Sequence, residues 1–278
     1  MTRRGQIVFF VPALGVFLLF FLLPATATLW DSVHSFRGET PRFVGALYYR
    51  HALGDPEFQR ALLNNLIYLG WTLLFEVTVG LFLAVALERE NRLNRFLRVV
   101  FFAPNVLSLV VVGLVFGFLF KDGVGVFPGL LRSPRALLTI SVISGWTYCG
   151  FYMVIFLAGL SQVPREVLEA ARLDGAGPWQ AFWRIKLPLL REVLYVALLI
   201  CFTGAFKAFD LFWVLAPNQP ETEIVSTLLV REVIQFDNKG YGSALAVLLT
   251  LMVLLTTAAI LGARRLWLGA RTGGTVHA

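Results

Sequence analysis

Six apolar runs, each long enough to cross a membrane as a helix, set the limits on what this chain can fold into. They cover about residues 7–30, 61–87, 99–120, 136–160, 193–215 and 241–263. A helix rising about 1.5 Å per residue needs about 20 residues to cross a hydrocarbon core of about 30 Å. Helix is also the form that satisfies every backbone polar group within one segment, and the alternation expected of barrel strands is absent. The predicted fold class is therefore all-α: a polytopic membrane protein of six transmembrane helices, in one transmembrane domain over residues 1–278. Composition agrees. Hydrophobic residues make up 58% and charged residues 15%, against about 25% charged in a soluble domain, which excludes a water-soluble globule.

The first run follows Arg3 and Arg4 and ends near Ala25-Thr26-Ala27, an arrangement shared with secretory signals. Its uninterrupted apolar core, Ile7 to Leu23, is longer than the about 7–15 residues of a signal core, and five further runs follow. An uncleaved first span is predicted. With the N-terminus inside, the inner segments carry fourteen Lys and Arg and the outer segments nine, so both termini are predicted to be cytoplasmic. The net charge of +7 does not indicate nucleic acid, because the arginines border spans rather than forming one patch. Cys149 and Cys201 both lie in apolar runs, which argues against a disulfide framework or a metal site. His34, His51 and His277 lie outside the spans, no HExxH or Ser/His/Asp constellation occurs, and no catalytic residue, metal or cofactor is predicted.

Residues 161–192 stand apart. The stretch is too charged to span and too ordered for a plain connector. Pro164 sits where a helix can start, with Glu166 in its first turn. Leu168 and Leu173 keep helical spacing, and Asp174-Gly175-Ala176-Gly177 supplies a stop. Pro178 can open a second short helix whose Trp179, Phe182 and Trp183 share one face, and Pro188 is predicted to close the unit. Two amphipathic helices of this kind can dock in a groove of a soluble partner or lie along the lipid interface. The periodicity favours neither.

These residues also carry a family resemblance. Glu169-Ala170-Ala171, Gly175, Ile185 and Leu187-Pro188 match the EAA signature of permeases from binding-protein-dependent ABC importers at every motif position. Phe43-Val44-Gly45 through Asn64-Asn65 resembles the family's "FVGLxNY…LxNT" region, although Ala46-Leu47-Tyr48-Tyr49 departs from it. Phe101-Phe102-Ala103-Pro104 resembles its "FFLP" entry to span three, and Lys207-Ala208-Phe209-Asp210 its "KxFD" in span five. The chain is most similar to the first permease of carbohydrate importers of the maltose/glycerol-3-phosphate type. Leu215-Ala216-Pro217-Asn218-Gln219-Pro220 departs from the family's "LTxGGP".

The resemblance implies a bacterial or archaeal inner-membrane subunit that forms half of a path for a sugar or related solute. Its implied partners are a second permease, two cytoplasmic ATPases and an external solute-binding protein. It implies that Glu169, Ala170, Ala171, Asp174, Gly175, Ile185, Leu187 and Pro188 couple to an ATPase. No G-x-x-x-x-G-K-[ST] occurs, since Lys121, Lys186, Lys207 and Lys239 are followed by Asp, Leu, Ala and Gly, so ATP hydrolysis falls to partner chains. The resemblance implies a mid-membrane solute site between spans four, five and six, with Gly150, Met153, Cys201, Gly204, Ala205 and Ala208 among its positions; Trp146, Tyr148, Tyr152, Phe206 and Phe209 can be stacking faces or ordinary core and interface aromatics. Lys207 and Asp210, three apart on span five, can pair or line the path, and Glu76 has no partner in its own span. The competing class is a self-contained secondary transporter or channel, for which inverted repeats and broken helices are not evident in the sequence.

Overall fold

The computed structural model describes residues 11–36, 38, 40–132 and 134–272; Arg3, Arg4, Ile7, Arg37 and His277 lie outside these. In chain order, α1 (Val11–Asp31) leads to a small antiparallel hairpin, β1 (His34–Ser35) and β2 (Arg42–Phe43), with His34 opposite Phe43. There follow α2 (Leu47–Gly54), α3 (Pro56–Ala86), α4 (Arg92–Phe102), α5 (Leu109–Leu119) and α6 (Ala136–Leu160). Then come α7 (Arg165–Leu173), α8 (residues 178–189), α9 (Arg191–Lys207), α10 (Asp210–Leu215), α11 (Val225–Ile234) and α12 (Lys239–Thr272). Five stretches are long and apolar enough to span: α1, α3, α6, α9 with α10, and α12; the bent pair α4–α5 supplies a sixth when taken as one. The chain is an all-α polytopic membrane protein.

The described residues within 1–60 and 225–252 form one compact unit, and those within 61–224 and 253–278 a second. In the first, Asp55 starts α3: its Oδ1 accepts from the Glu57 amide at 2.9 Å and its Oδ2 from the Tyr241 hydroxyl at 2.7 Å. Pro56 takes the first helical position, where a missing N–H costs nothing. Lys239 pairs with Asp31 at 2.9 Å, and Arg231 with Glu57.

In the second unit α3 lies tightly against α6. A Cβ on Gly80 would meet Tyr152 Cβ at 2.6 Å, and one on Gly145 would strike the Phe75 side chain. Near the middle of this unit Met153, Phe156 and Ile140 are fully buried.

Two predicted spans are not continuous helices. The expected third span, residues 99–120, turns through 92° between residues 106 and 109. A 3-10 turn at Ala103–Val106 carries Pro104 in its first residues, and Leu107 and Ser108 are extended (ψ 144° and 134°) before α5 begins. An 11-residue α5 is only about 16 Å long, so this crossing depends on α4 and the turn as well. The fifth span breaks at Ala208 (ψ 135°) and Phe209 (φ −148°). Freed backbone groups in a membrane need other partners, and Asn65 Nδ2 donates to the Ala205 carbonyl at 3.1 Å. Hydropathy averaged over a whole span registers neither break, although Pro104, Asn105 and Ser108 stand at the first and Lys207 and Asp210 flank the second.

Candidate functional site

The second unit holds a cavity of about 760 Å³, within the about 300–1,000 Å³ common for small-molecule sites. Tyr68, Thr72 and Glu76 recur every fourth residue on α3 and form one stripe of its wall. Facing them are Ser144, Tyr148, Phe151 and Tyr152 of α6, and Thr203, Gly204, Ala205, Lys207, Ala208, Phe209 and Asp210 at the break in span five. Glu76 is buried, and the Ser144 hydroxyl donates to its Oε1 at 2.7 Å; Ser144 Oγ also lies 2.9 Å from the Tyr68 hydroxyl. The partner that Glu76 lacks in its own helix is therefore on α6.

The break changes the relation of Lys207 to Asp210. Because Ala208 and Phe209 leave helical geometry, the two are no longer one helical turn apart, and neither makes an ion pair among the described residues. Of the two arrangements open to them, pairing or lining the path, the intrahelical pair is absent and both residues lie on the cavity wall. Of the other residues implied for the path, Gly204, Ala205 and Ala208 line the cavity, as do Tyr148, Tyr152 and Phe209. Gly150, Met153 and Cys201 do not. A Cβ on Gly150 would collide with the Phe101 backbone, Met153 is fully buried, and Cys201 donates its thiol to Thr72 Oγ1 at 3.6 Å; their small or flexible side chains serve helix packing. Trp146 instead meets Phe116 edge to face at 5.6 Å, and Phe206 is buried. Tyr68, Thr72, Asn105, Ser144 and Thr203 were not singled out from sequence, although the four-residue spacing of Tyr68, Thr72 and Glu76 in an apolar span carries that signal.

The loop forms a second site. Helix α7 ends in a Schellman motif: the Gly175 amide donates to the Arg172 carbonyl at 3.0 Å and the Ala176 amide to Ala171 at 2.9 Å. Gly175 takes φ +81°, the left-handed conformation this closure requires. The Gly177 amide donates to Gln180 Oε1 at 3.3 Å as α8 begins. Pro188 does not close the unit as predicted; the helix runs on to Leu189. A π turn at Phe182–Lys186, closed from the Leu187 amide to the Phe182 carbonyl, widens the helix just where the proline ring would meet the carbonyl four residues back. Glu169, Ala170, Asp174, Gly175 and Pro188 are exposed, Ile185 and Leu187 half-buried, and Ala171 buried. Leu173 is 90% exposed, Trp179 72% and Trp183 50%. The rings of Trp179, Phe182 and Trp183 cluster with centroids 5.2–6.2 Å apart.

Residues 76–265 match the family described as the binding-protein-dependent transport system inner membrane component. The chain belongs to that family. This permease is 33% identical over 277 residues to the probable ABC transporter permease protein YurN of Bacillus subtilis (strain 168), covering 91% of this chain and 94% of the relative. It is 30% identical over 272 residues to the arabinooligosaccharides transport system permease protein AraP of the same organism, covering 92% and 87%. A solved bacterial alginate ABC transporter, in complex with an alginate pentasaccharide-bound periplasmic protein, contains a chain of the same fold. Its TM-score is 0.81 at 19% identity, over 93% of each chain. The permease is thus a membrane component of an ABC importer and not itself an ATPase.

Proposed function

We propose that this permease forms half of the translocation path for a sugar or related polyhydroxylated solute, as one transmembrane domain paired with a second permease. An external binding protein delivers the solute, and two ATPase chains, gripping the loop of residues 161–192, hydrolyse ATP. Both termini and the loop lie on the cytoplasmic side. The observation that carries this reading is the loop itself: a helix ended by a left-handed glycine, followed by an apolar cluster left open at Leu173, Trp179 and Trp183. An exposed apolar patch inside a polar, charged segment suits a protein groove. Glu169 can accept charge-assisted hydrogen bonds from such a partner. The relatives' named cargo and the hydroxyl- and aromatic-rich cavity support a sugar: aromatic faces pack on sugar C–H groups, while Tyr, Ser and Thr hydroxyls and Glu76 meet its hydroxyls.

The test is co-expression with candidate ATPase, second permease and binding protein, reconstitution in liposomes, and ATP hydrolysis measured with a panel of oligosaccharides. Stimulation by one of them is the expected result. Glu169→Lys should insert normally yet fail to retain the ATPase. Solute uptake that continues without any ATPase would refute the importer reading in favour of a self-contained transporter.

A further inference from the structure

Where the loop joins span five, Glu192 pairs with Arg264 of α12 at 2.7 Å; deeper in the loop, polar links to the membrane helices are fewer. Within residues 161–190, the side-chain hydrogen bonds of Ser161 and Gln180 are local. Glu169 and Arg172 make no ion pair, although both line a cleft of about 1080 Å³ that separates α7 from the end of α3. The exception is Lys186, on the π turn of α8, whose ammonium pairs with Glu88, 98 residues away and just past the end of α3. Both side chains are largely covered, at 17% and 28% exposure. They are therefore screened less than a surface pair.

The anchor under Glu88 is rigid. Arg98 of α4 donates to the Leu87 carbonyl at 2.7 and 3.1 Å and to the Glu88 carbonyl at 3.1 Å, with its remaining arm on Glu90. Those carbonyls belong to the turn that ends α3, where no further helical amides are available to donate to them. From there α3 runs unbroken to the cavity, through Gly80 pressed on α6, to Glu76, Thr72 and Tyr68.

We propose that the Lys186–Glu88 pair is a positioning contact that ties movement of the loop to α3, and through it to the cavity wall. This rests on the importer reading above. A loop drawn by its ATPase then pulls the end of α3, because the apolar contacts around the cleft can slide while an ion pair holds its partners together.

The test needs no knowledge of the solute. Thr203, on the cavity wall, is replaced by cysteine in a C149A/C201A background, and the assembled complex is labelled with a fluorescent maleimide, with and without ATP and vanadate. Labelling of this chain is read from its own band. The rate should change on trapping. E88Q and K186M should each shrink that change by at least about five-fold, the double variant no further than either alone, and K186R should keep it. Each variant is first checked for co-purification with its partners, so that loss of assembly is seen separately. Singles that keep the full change, a double variant whose loss multiplies the two, or K186R behaving as K186M would overturn the proposal. A parent complex whose labelling ignores vanadate would instead refute the importer reading, and this inference with it.

Discussion

Replacing Gly175 by residues of graded tolerance for positive φ tests the hinge of the loop. Gly175 stands at φ +81°, and a Cβ built on it meets nothing within 4 Å. Crowding therefore adds nothing, and backbone strain is the whole perturbation. An ordinary L-residue held there costs about 1–2 kcal/mol, with alanine at the low end and β-branched valine at or above the high end. Asparagine visits the region readily. Relief comes by opening the two hydrogen bonds that close α7, so the docking-competent loop loses the same energy. That is about 5- to 30-fold in affinity for the ATPase. The assay is titration of a labelled ATPase subunit onto the permease pair in nanodiscs. Gly175→Asn should bind within about two-fold of the parent, Gly175→Ala about five-fold more weakly, and Gly175→Val about 30-fold or more. Gly175→Asp separates charge from strain: it tolerates positive φ as asparagine does, so a loss confined to Asp locates an acid-averse surface on the partner. Valine binding like the parent, or asparagine as weak as alanine, would refute the argument.

Three further outcomes follow from the packing. Asn65→Leu removes the donor to the Ala205 carbonyl where span five breaks, and should lower stability by about 1–3 kcal/mol, read as a fall in the melting temperature of the detergent-solubilised complex. Gly150→Val forces a side chain into the Phe101 backbone and should cost about 1–3 kcal/mol or more by overpacking, seen in the same melting assay, whereas Gly204→Ala, with nothing within 4 Å of its Cβ, should melt like the parent. Glu76→Gln keeps an acceptor for Ser144 and should fold normally, yet change the solute concentration that half-stimulates ATP hydrolysis by about five-fold, since exchanging one carboxyl oxygen on the cavity wall for an amide NH2 mismatches one hydrogen bond worth about 1 kcal/mol.

The length and apolarity of the runs were enough to give an all-α membrane protein with five to six candidate crossings, because each backbone in lipid must satisfy itself within its own segment. The fourth span, 136–160, lies where the hydropathy put it. The stop at Gly175 was also legible, since a helix C-terminus is written in a few adjacent residues. Tertiary structure decided what depends on residues far apart in the chain. Asn65 finds the Ala205 carbonyl 140 positions on, Ser144 finds Glu76 across 68, and Lys186 finds Glu88 across 98. Hydropathy also averages over the breaks at residues 107–108 and 208–209, where neighbouring packing rather than local composition sets the backbone. Gly150, Met153 and Cys201 read equally well as cavity or as packing in sequence. Only the approach of the Phe101 backbone to Gly150, the closeness of α3 to α6 beside Met153 and the contact of Cys201 with Thr72 placed them in the packing, because a small residue leaves space in a helix face without saying what fills it.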